Sequence, residues 1–302
     1  MARCSTPPGD ECWRRIRGAL AAGLDLALFQ DLDGTLAPLA PSPERARLPG
    51  DTRRVLESLR SLPRCLIWVV TGRRAQDALG MVGLPDIGYA GVHGLEIRWP
   101  APRPDRGEHP AGVDGRACPA GAEELVYPAG AQEAVPAVRT ALAALRRDLA
   151  TVPGCLLEDK GLSVAVHYRQ VARHLRPHVI ATVQDVAARF PSLRLQPGHW
   201  MLELRPQLPW DKGKAVRWLL EKTYGGEWSG RVLPVYIGDD LTDEDAFESL
   251  GRRAVTIKVG PGPTGAAYRL RGPEEVTRFL QECACLLSAT GPSRAGGRQW
   301  GQ

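Results

Sequence analysis

The sequence predicts an α/β fold with a parallel sheet and a smaller inserted domain, on three observations. Apolar runs of strand length recur at 24–29, 65–70 and 232–237. Each ends in a polar, small-residue turn followed by a helix-like stretch, the alternation expected of a parallel sheet. Between the second and third turns the rhythm changes to two helix-plus-two-strand units, which reads as an α+β insertion. Ligands of open parallel sheets bind beyond the carboxyl ends of the strands, so the three turns are candidates for one shared site.

Taken in order, the first strand feeds into Gln30-Asp31-Leu32-Asp33-Gly34-Thr35-Leu36. Carboxylates at i and i+2 in extended backbone face the same side, which aims Asp31 and Asp33 at the crevice. Such a pair can divide labour, one member ionised beside a cation and the other kept protonated. The competing reading is an Asx turn capping the next helix. The second strand ends at Thr71-Gly72-Arg73, where Thr71 alone would pass for a helix cap. Segment 100–130, rich in Gly, Pro and Ala, reads as a surface excursion.

The insertion is expected to hold a helix at 133–150, strands at 154–158 and 162–168, a helix at 171–190, and strands at 193–196 and 201–204. Lys212, in Asp211-Lys212-Gly213, precedes the last core run and taken singly is a solvated charge. The third strand ends in Gly238-Asp239-Asp240-Leu241-Thr242-Asp243-Glu244, an acidic cluster that a helix start also favours. The domain boundaries that follow are 15–130 and 207–287 for the core and 131–206 for the insertion, with a disordered tail at 288–302.

Composition bounds the rest. A chain of 302 residues with 43% hydrophobic residues can bury substantial cores. No apolar run approaches the ~18 residues that span a bilayer, so a cytoplasmic location is expected. The seven cysteines are scattered without C-x-x-C spacing, which excludes a zinc or redox motif and fits reduced thiols. A net charge of +5 without basic blocks excludes a nucleic-acid groove and accords with an anionic substrate. No G-x-G-x-x-G follows the first strand, which argues against a dinucleotide site.

The string D-x-D-G-T-L after an apolar strand resembles motif I of the haloacid dehalogenase (HAD) phosphatase superfamily. Thr71, Lys212 and the cluster beginning at Asp239 resemble its motifs II, III and IV, in the right order. The resemblance implies a HAD-like Rossmannoid core with an inserted C2B-type cap. It implies Mg2+ held by Asp31, the Asp33 carbonyl and Asp239, with Asp31 the covalent nucleophile and Asp33 the general acid and base. Thr71 and Lys212 are then catalytic, and Asp240 and Asp243 support the metal shell and Lys212 from behind.

Glu158-Asp159-Lys160-Gly161-Leu162-Ser163-Val164-Ala165-Val166-His167-Tyr168-Arg169 is similar to the cap of trehalose-phosphate phosphatases. So are Leu202-Glu203-Leu204-Arg205-Pro206, Gly91-Val92-His93-Gly94-Leu95-Glu96 and Ala266-Ala267-Tyr268, over about 26–280 in all. This implies trehalose 6-phosphate as substrate, met by Asp31, Leu32, Asp33, Thr71, Gly72, Arg73, His93, Glu158, Lys160, Arg169 and Glu203. A salt-bridged cap surface is the plainer reading of the cap residues. Asp159 where asparagine is usual, Gln30 before the nucleophile and the 100–130 excursion depart from the pattern. Rivals are a HAD phosphatase for sucrose phosphate or mannosyl-phosphoglycerate, and a catalytically dead regulatory or sugar-sensing subunit. The small-molecule substrate is the one partner the sequence indicates; neither nucleic acid nor membrane is implied, and a synthase partner is not legible.

Overall fold

The computed structural model describes residues 8–101, 125–198 and 200–290. Two compact units emerge, one formed by Val126–Trp210 and the other by the segments on either side of it.

The larger unit begins with α1 (Asp10–Ala21), β1 (Asp25–Gln30), α2 (Gly50–Ser61), β2 (Cys65–Val70), α3 (Ala75–Val82), β3 (Gly88–Gly91) and β4 (Glu96–Arg98). The smaller contains α4 (Val135–Asp148), β5 (Leu156–Asp159), β6 (Val164–His167), α5 (Arg176–Ala188), β7 (Leu193–Gly198) and β8 (Met201–Pro206). The larger then resumes with α6 (Lys212–Tyr224), β9 (Val232–Gly238), α7 (Leu241–Leu250), β10 (Val255–Val259), β11 (Tyr268–Leu270) and α8 (Pro273–Thr290).

The seven-stranded sheet runs β11-β10-β9-β1-β2-β3-β4, parallel except for the β3–β4 pair. Its strands are near-continuous apolar runs because both faces are covered. Leu26, Leu28, Ile67, Val69, Val235 and Ile237 share one core with side chains from α1, α2, α3 and α8, while Phe29, Trp68, Val70 and Tyr236 face α6 and α7. The strand order reverses at β1, which lies between β9 and β2. The loops after β1, β2 and β9 therefore open at one crevice.

In the smaller unit the antiparallel sheet β5-β6-β8-β7 puts Val164, Val166, Leu202 and Leu204 against two helices. Val138, Leu142 and Leu145 on α4, and Val179, Val183 and Val186 on α5, recur at the spacing of one helix face. Alternation then assigns Glu158, Ala165, His167 and Glu203 to the other face of the sheet.

The expected elements form with shifted ends, and the shifts have local causes. The strand expected at 154–158 begins at Leu156 because Gly154 sits in a turn at φ +80°. The one expected at 162–168 begins at Val164, after a turn in which the Asp159 carboxylate accepts from Gly161 N at 2.9 Å. The helix expected from 171 starts at Arg176, with proline in its first turn. The strands β3, β4 and β11, three or four residues long, carry no periodic signal. Most of the 100–130 excursion and of the 288–302 tail lies outside the described residues, and 288–290 are the last turn of α8. Among the described residues no helix is long and apolar enough to cross a membrane.

Gln30 follows Leu26 and Leu28 on the apolar side of β1, and neither polar atom of its buried amide has a hydrogen-bond partner among the described residues. An unmet buried amide costs about 1–3 kcal/mol. Gln30→Leu, close in volume, is expected to stabilise the protein by about 1 kcal/mol in urea unfolding. A lower unfolding midpoint would show that the amide is satisfied.

Candidate active site

The site is assembled by strand ends. Asp31 N donates to Ile237 O at 2.9 Å, tying the end of β1 to β9 before the two chains diverge. Lys212 is the first residue of α6, whose cap is Asp211, accepting from Lys214 N at 2.8 Å. That start places the Lys212 ammonium 2.9 Å from Asp31 Oδ1 and 2.8 Å from Asp243 Oδ1. Tyr236 Oη donates to the same Asp243 oxygen at 2.8 Å, and Asp240 N to Asp243 Oδ2 at 2.9 Å. Gly213 permits the packing of α6 on α7, because a Cβ there would overlap the Asp245 carbonyl.

Asp239 approaches from β9. Its carboxylate accepts from Thr35 Oγ1 at 2.9 Å, and its own carbonyl accepts from Lys258 Nζ. It occupies the space that a Cβ of Gly34 would fill, and Gly34 has φ +88°, so two independent constraints require glycine in that turn. One oxygen each from Asp31, Asp239 and Asp243 lies within 4.8 Å of the others. An all-carboxylate set of this size suits a hard divalent cation such as Mg2+, which keeps several waters and needs few protein ligands.

Electrostatics reflect that crowding. Burial raises the Asp31 carboxyl well above its ordinary value, against the pull of Lys212, and Asp243 and Asp239 push the same way. Asp239 is pushed up to about 6, by burial first and then by Asp243. Burial works to lower the Lys212 ammonium, but Asp243 and Asp31 together overcome it and hold the group above its ordinary value. Cation charge is in deficit here, as in a site built to receive some.

The second turn supplies the rest. Arg73 clasps Asp33 through Nε to Oδ2 at 2.6 Å and Nη2 to Oδ1 at 2.8 Å, and also donates to Pro43 O at 3.0 Å. Thr71 is buried, and its hydroxyl oxygen accepts from Arg73 N at 3.2 Å. Because α3 starts four residues later, at Ala75, Thr71 is not its cap. His93, left-handed at φ 57°, stands over Gly72, where a Cβ would lie 2.9 Å from the ring. Glu96 from the same string caps α3 from a distance, accepting from Ala75 N at 2.9 Å.

One expectation needs correcting. Asp240 does not reach Lys212: its carboxylate accepts from Leu241 N at 2.7 Å and forms a capping box with Asp243 at the start of α7. The Leu32 side chain points into the core, and its carbonyl accepts from Leu36 N and Ala37 N.

In the smaller unit, Glu158, Ala165, Glu203 and Gln196 form one row across the sheet by strand register. Glu203 Oε1 accepts from Ser163 Oγ at 2.6 Å and from Lys160 Nζ at 3.3 Å. Glu158 Oε2 lies 2.8 Å from His167 Nε2. Burial would raise the Glu158 carboxyl, yet His167 and Lys160 hold it below its ordinary value. Arg169 is exposed, apart from this network. Tyr236, Ser163 and His167 were not singled out from the sequence. The Glu158–His167 contact could have been sought by counting alternating positions across a hairpin.

The trehalose-phosphatase family model matches residues 29–273. The chain is 38% identical over 269 residues to a trehalose-phosphate phosphatase of Mycobacterium tuberculosis, covering 86% of this chain and 62% of that one. It is 36% identical over 271 residues to a probable trehalose-phosphate phosphatase 2 of Oryza sativa subsp. japonica, covering 88% and 69%. The chain thus spans less than two thirds of the mycobacterial relative's length. A solved trehalose-6-phosphate phosphatase related protein superposes with TM-score 0.70 at 24% identity, covering 87% of this chain and 99% of that one, which shows a shared fold.

The Asp239 shift has a consequence for stability. An acid whose proton is held more tightly in the folded than in the unfolded state loses stabilisation as pH rises, here between about 4 and about 6. In metal-free protein Asp239→Asn should therefore gain on the wild type as pH goes from about 4 to about 7.5. Urea unfolding in EDTA measures the gap; a gap constant with pH would show that Asp239 does not carry this proton.

Proposed function

Because the chain belongs to the trehalose-phosphatase family, we propose that it is a magnesium-dependent phosphatase that converts trehalose 6-phosphate to trehalose and phosphate. The observation that carries this reading is the Lys212 ammonium held between Asp31 and Asp243 beside a second carboxylate, Asp239. Nothing structural requires so costly a cluster, whereas a phosphate dianion approached by a carboxylate does.

Asp31 attacks phosphorus in line, its free oxygen forming the new P–O bond while the bond to the sugar oxygen breaks. Lys212 fixes the other Asp31 oxygen and offers positive charge to the phosphoryl group. Asp33 gives its proton to the departing sugar oxygen, then takes one from the water that hydrolyses the aspartyl-phosphate. Arg73, which clasps Asp33 at both oxygens, also offers its guanidinium to the phosphate. Thr71 presents its hydroxyl to a phosphoryl oxygen. Asp31, Asp239 and the Asp33 carbonyl would hold Mg2+, which would supply charge to screen the phosphate dianion.

A disaccharide offers hydroxyls in many directions and no charge beyond its phosphate, so recognition needs converging carboxylates and amines. Glu158, Lys160, Arg169 and Glu203 are assigned that task, with His167 and Ser163 fixing the rotamers of the two acids. His93 contacts the substrate next to Gly72.

Phosphate release from trehalose 6-phosphate, glucose 6-phosphate, sucrose 6-phosphate and an aryl phosphate tests both layers. EDTA should abolish turnover and Mg2+ restore it. Asp31→Asn should lower kcat at least about a thousandfold, since no charged oxygen is left to attack. Glu203→Ala should cut kcat/KM for trehalose 6-phosphate about a hundredfold and leave the aryl ester within a few-fold. Equal losses on both would defeat the sugar assignment while leaving the phosphatase in place.

A further inference from the structure

Most of β9 is aliphatic, and alternation sends Val235 and Ile237 to one core while Tyr236 faces the other. There its ring meets Phe247 edge to face, with centroids 5.7 Å apart at 84°. Phenylalanine would satisfy that packing equally well, so the hydroxyl needs its own explanation. It is fully buried and donates to Asp243 Oδ1 at 2.8 Å. This is the same atom that accepts from Lys212 at 2.8 Å, and Lys212 in turn lies 2.9 Å from Asp31. Tyr236 and Lys212 therefore compete for one oxygen.

We propose that Tyr236 is a positioning residue for phosphoryl transfer: its hydroxyl occupies part of the Asp243 Oδ1 acceptor capacity and so leaves the Lys212 ammonium shared with Asp31. Each oxygen of a carboxylate has two lone-pair directions, and the attraction it exerts on one donor falls as a second donor is added. Without the phenol, Asp243 keeps a stronger hold on Lys212, the ammonium moves toward Asp243, and the Asp31 contact lengthens. Asp243 Oδ2 already accepts from Asp240 N, so both oxygens of this carboxylate carry a donor. The tyrosine thus acts on Asp31 from three hydrogen bonds away, through Asp243 and Lys212. The inference rests on the phosphatase reading above.

Tyr236→Phe tests it, because the variant keeps the ring and removes one oxygen. Expected are an unfolding midpoint within about 3 °C of the wild type, an unchanged KM, and a kcat lowered about tenfold on both trehalose 6-phosphate and an aryl phosphate. In an Asp243→Asn background the same substitution should add no further loss, since its effect passes through Asp243. A purely structural tyrosine would give additive losses, or no loss of kcat at all, and either result overturns the proposal. Should Asp243→Asn fail to fold, the 15N resonance of the Lys212 ammonium decides: it shifts in Tyr236→Phe if the sharing is real, and an unmoved resonance overturns it. A wild type that releases no phosphate from any ester defeats the phosphatase reading, and the positioning role with it. An active wild type with an unaffected Tyr236→Phe defeats only the inference.

Discussion

A protonated amine enclosed by carboxylates in the protein interior is the constraint to which the rest of the larger unit answers. Moving a charge from water into a buried site costs several kcal/mol unless partners surround it. Lys212 has two such partners, one directly after β1 and one in the first turn of α7, so β1, α6, β9 and α7 must all be in register for any of the charges to be tolerable. Removing one acid strands a buried charge; removing the lysine leaves carboxylates crowded together. The centre is therefore cooperative in stability as well as in chemistry.

Two glycines make that crowding sterically feasible. Gly34 yields the volume that the Asp239 carboxylate occupies, and Gly238 does the same for the Asp243 side chain. Their position beside the acids has a plain cause: side chains that must converge leave no room for a Cβ on the backbone they converge upon. Thr35 and Lys258 then hold Asp239 from its side chain and its carbonyl.

Much of this was legible in the chain itself. The three apolar runs located the central strands, and their turns located Asp31, Thr71 and Asp239, because burial on both faces of a parallel sheet writes itself as continuous hydrophobicity. Helix α4 was visible through Val138, Leu142 and Leu145. The strands β3 and β4 were not, being too short for any period to register. The partners of each acid were also hidden, since Tyr236 with Asp243 and Arg73 with Asp33 depend on packing that no local pattern encodes. Glu96 is instructive in the other direction, a residue in a functional-looking string whose visible work is to cap α3.

The pairing of β1 with β9 joins residues some two hundred positions apart in sequence, with the smaller unit lying between them along the chain. During synthesis Asp31 therefore leaves the ribosome before its partners and waits until Lys212, Asp239 and Asp243 have followed. A chain arrested after Trp210 but before Asp243 carries every residue of the inserted unit yet lacks one of the two carboxylates that hold Lys212.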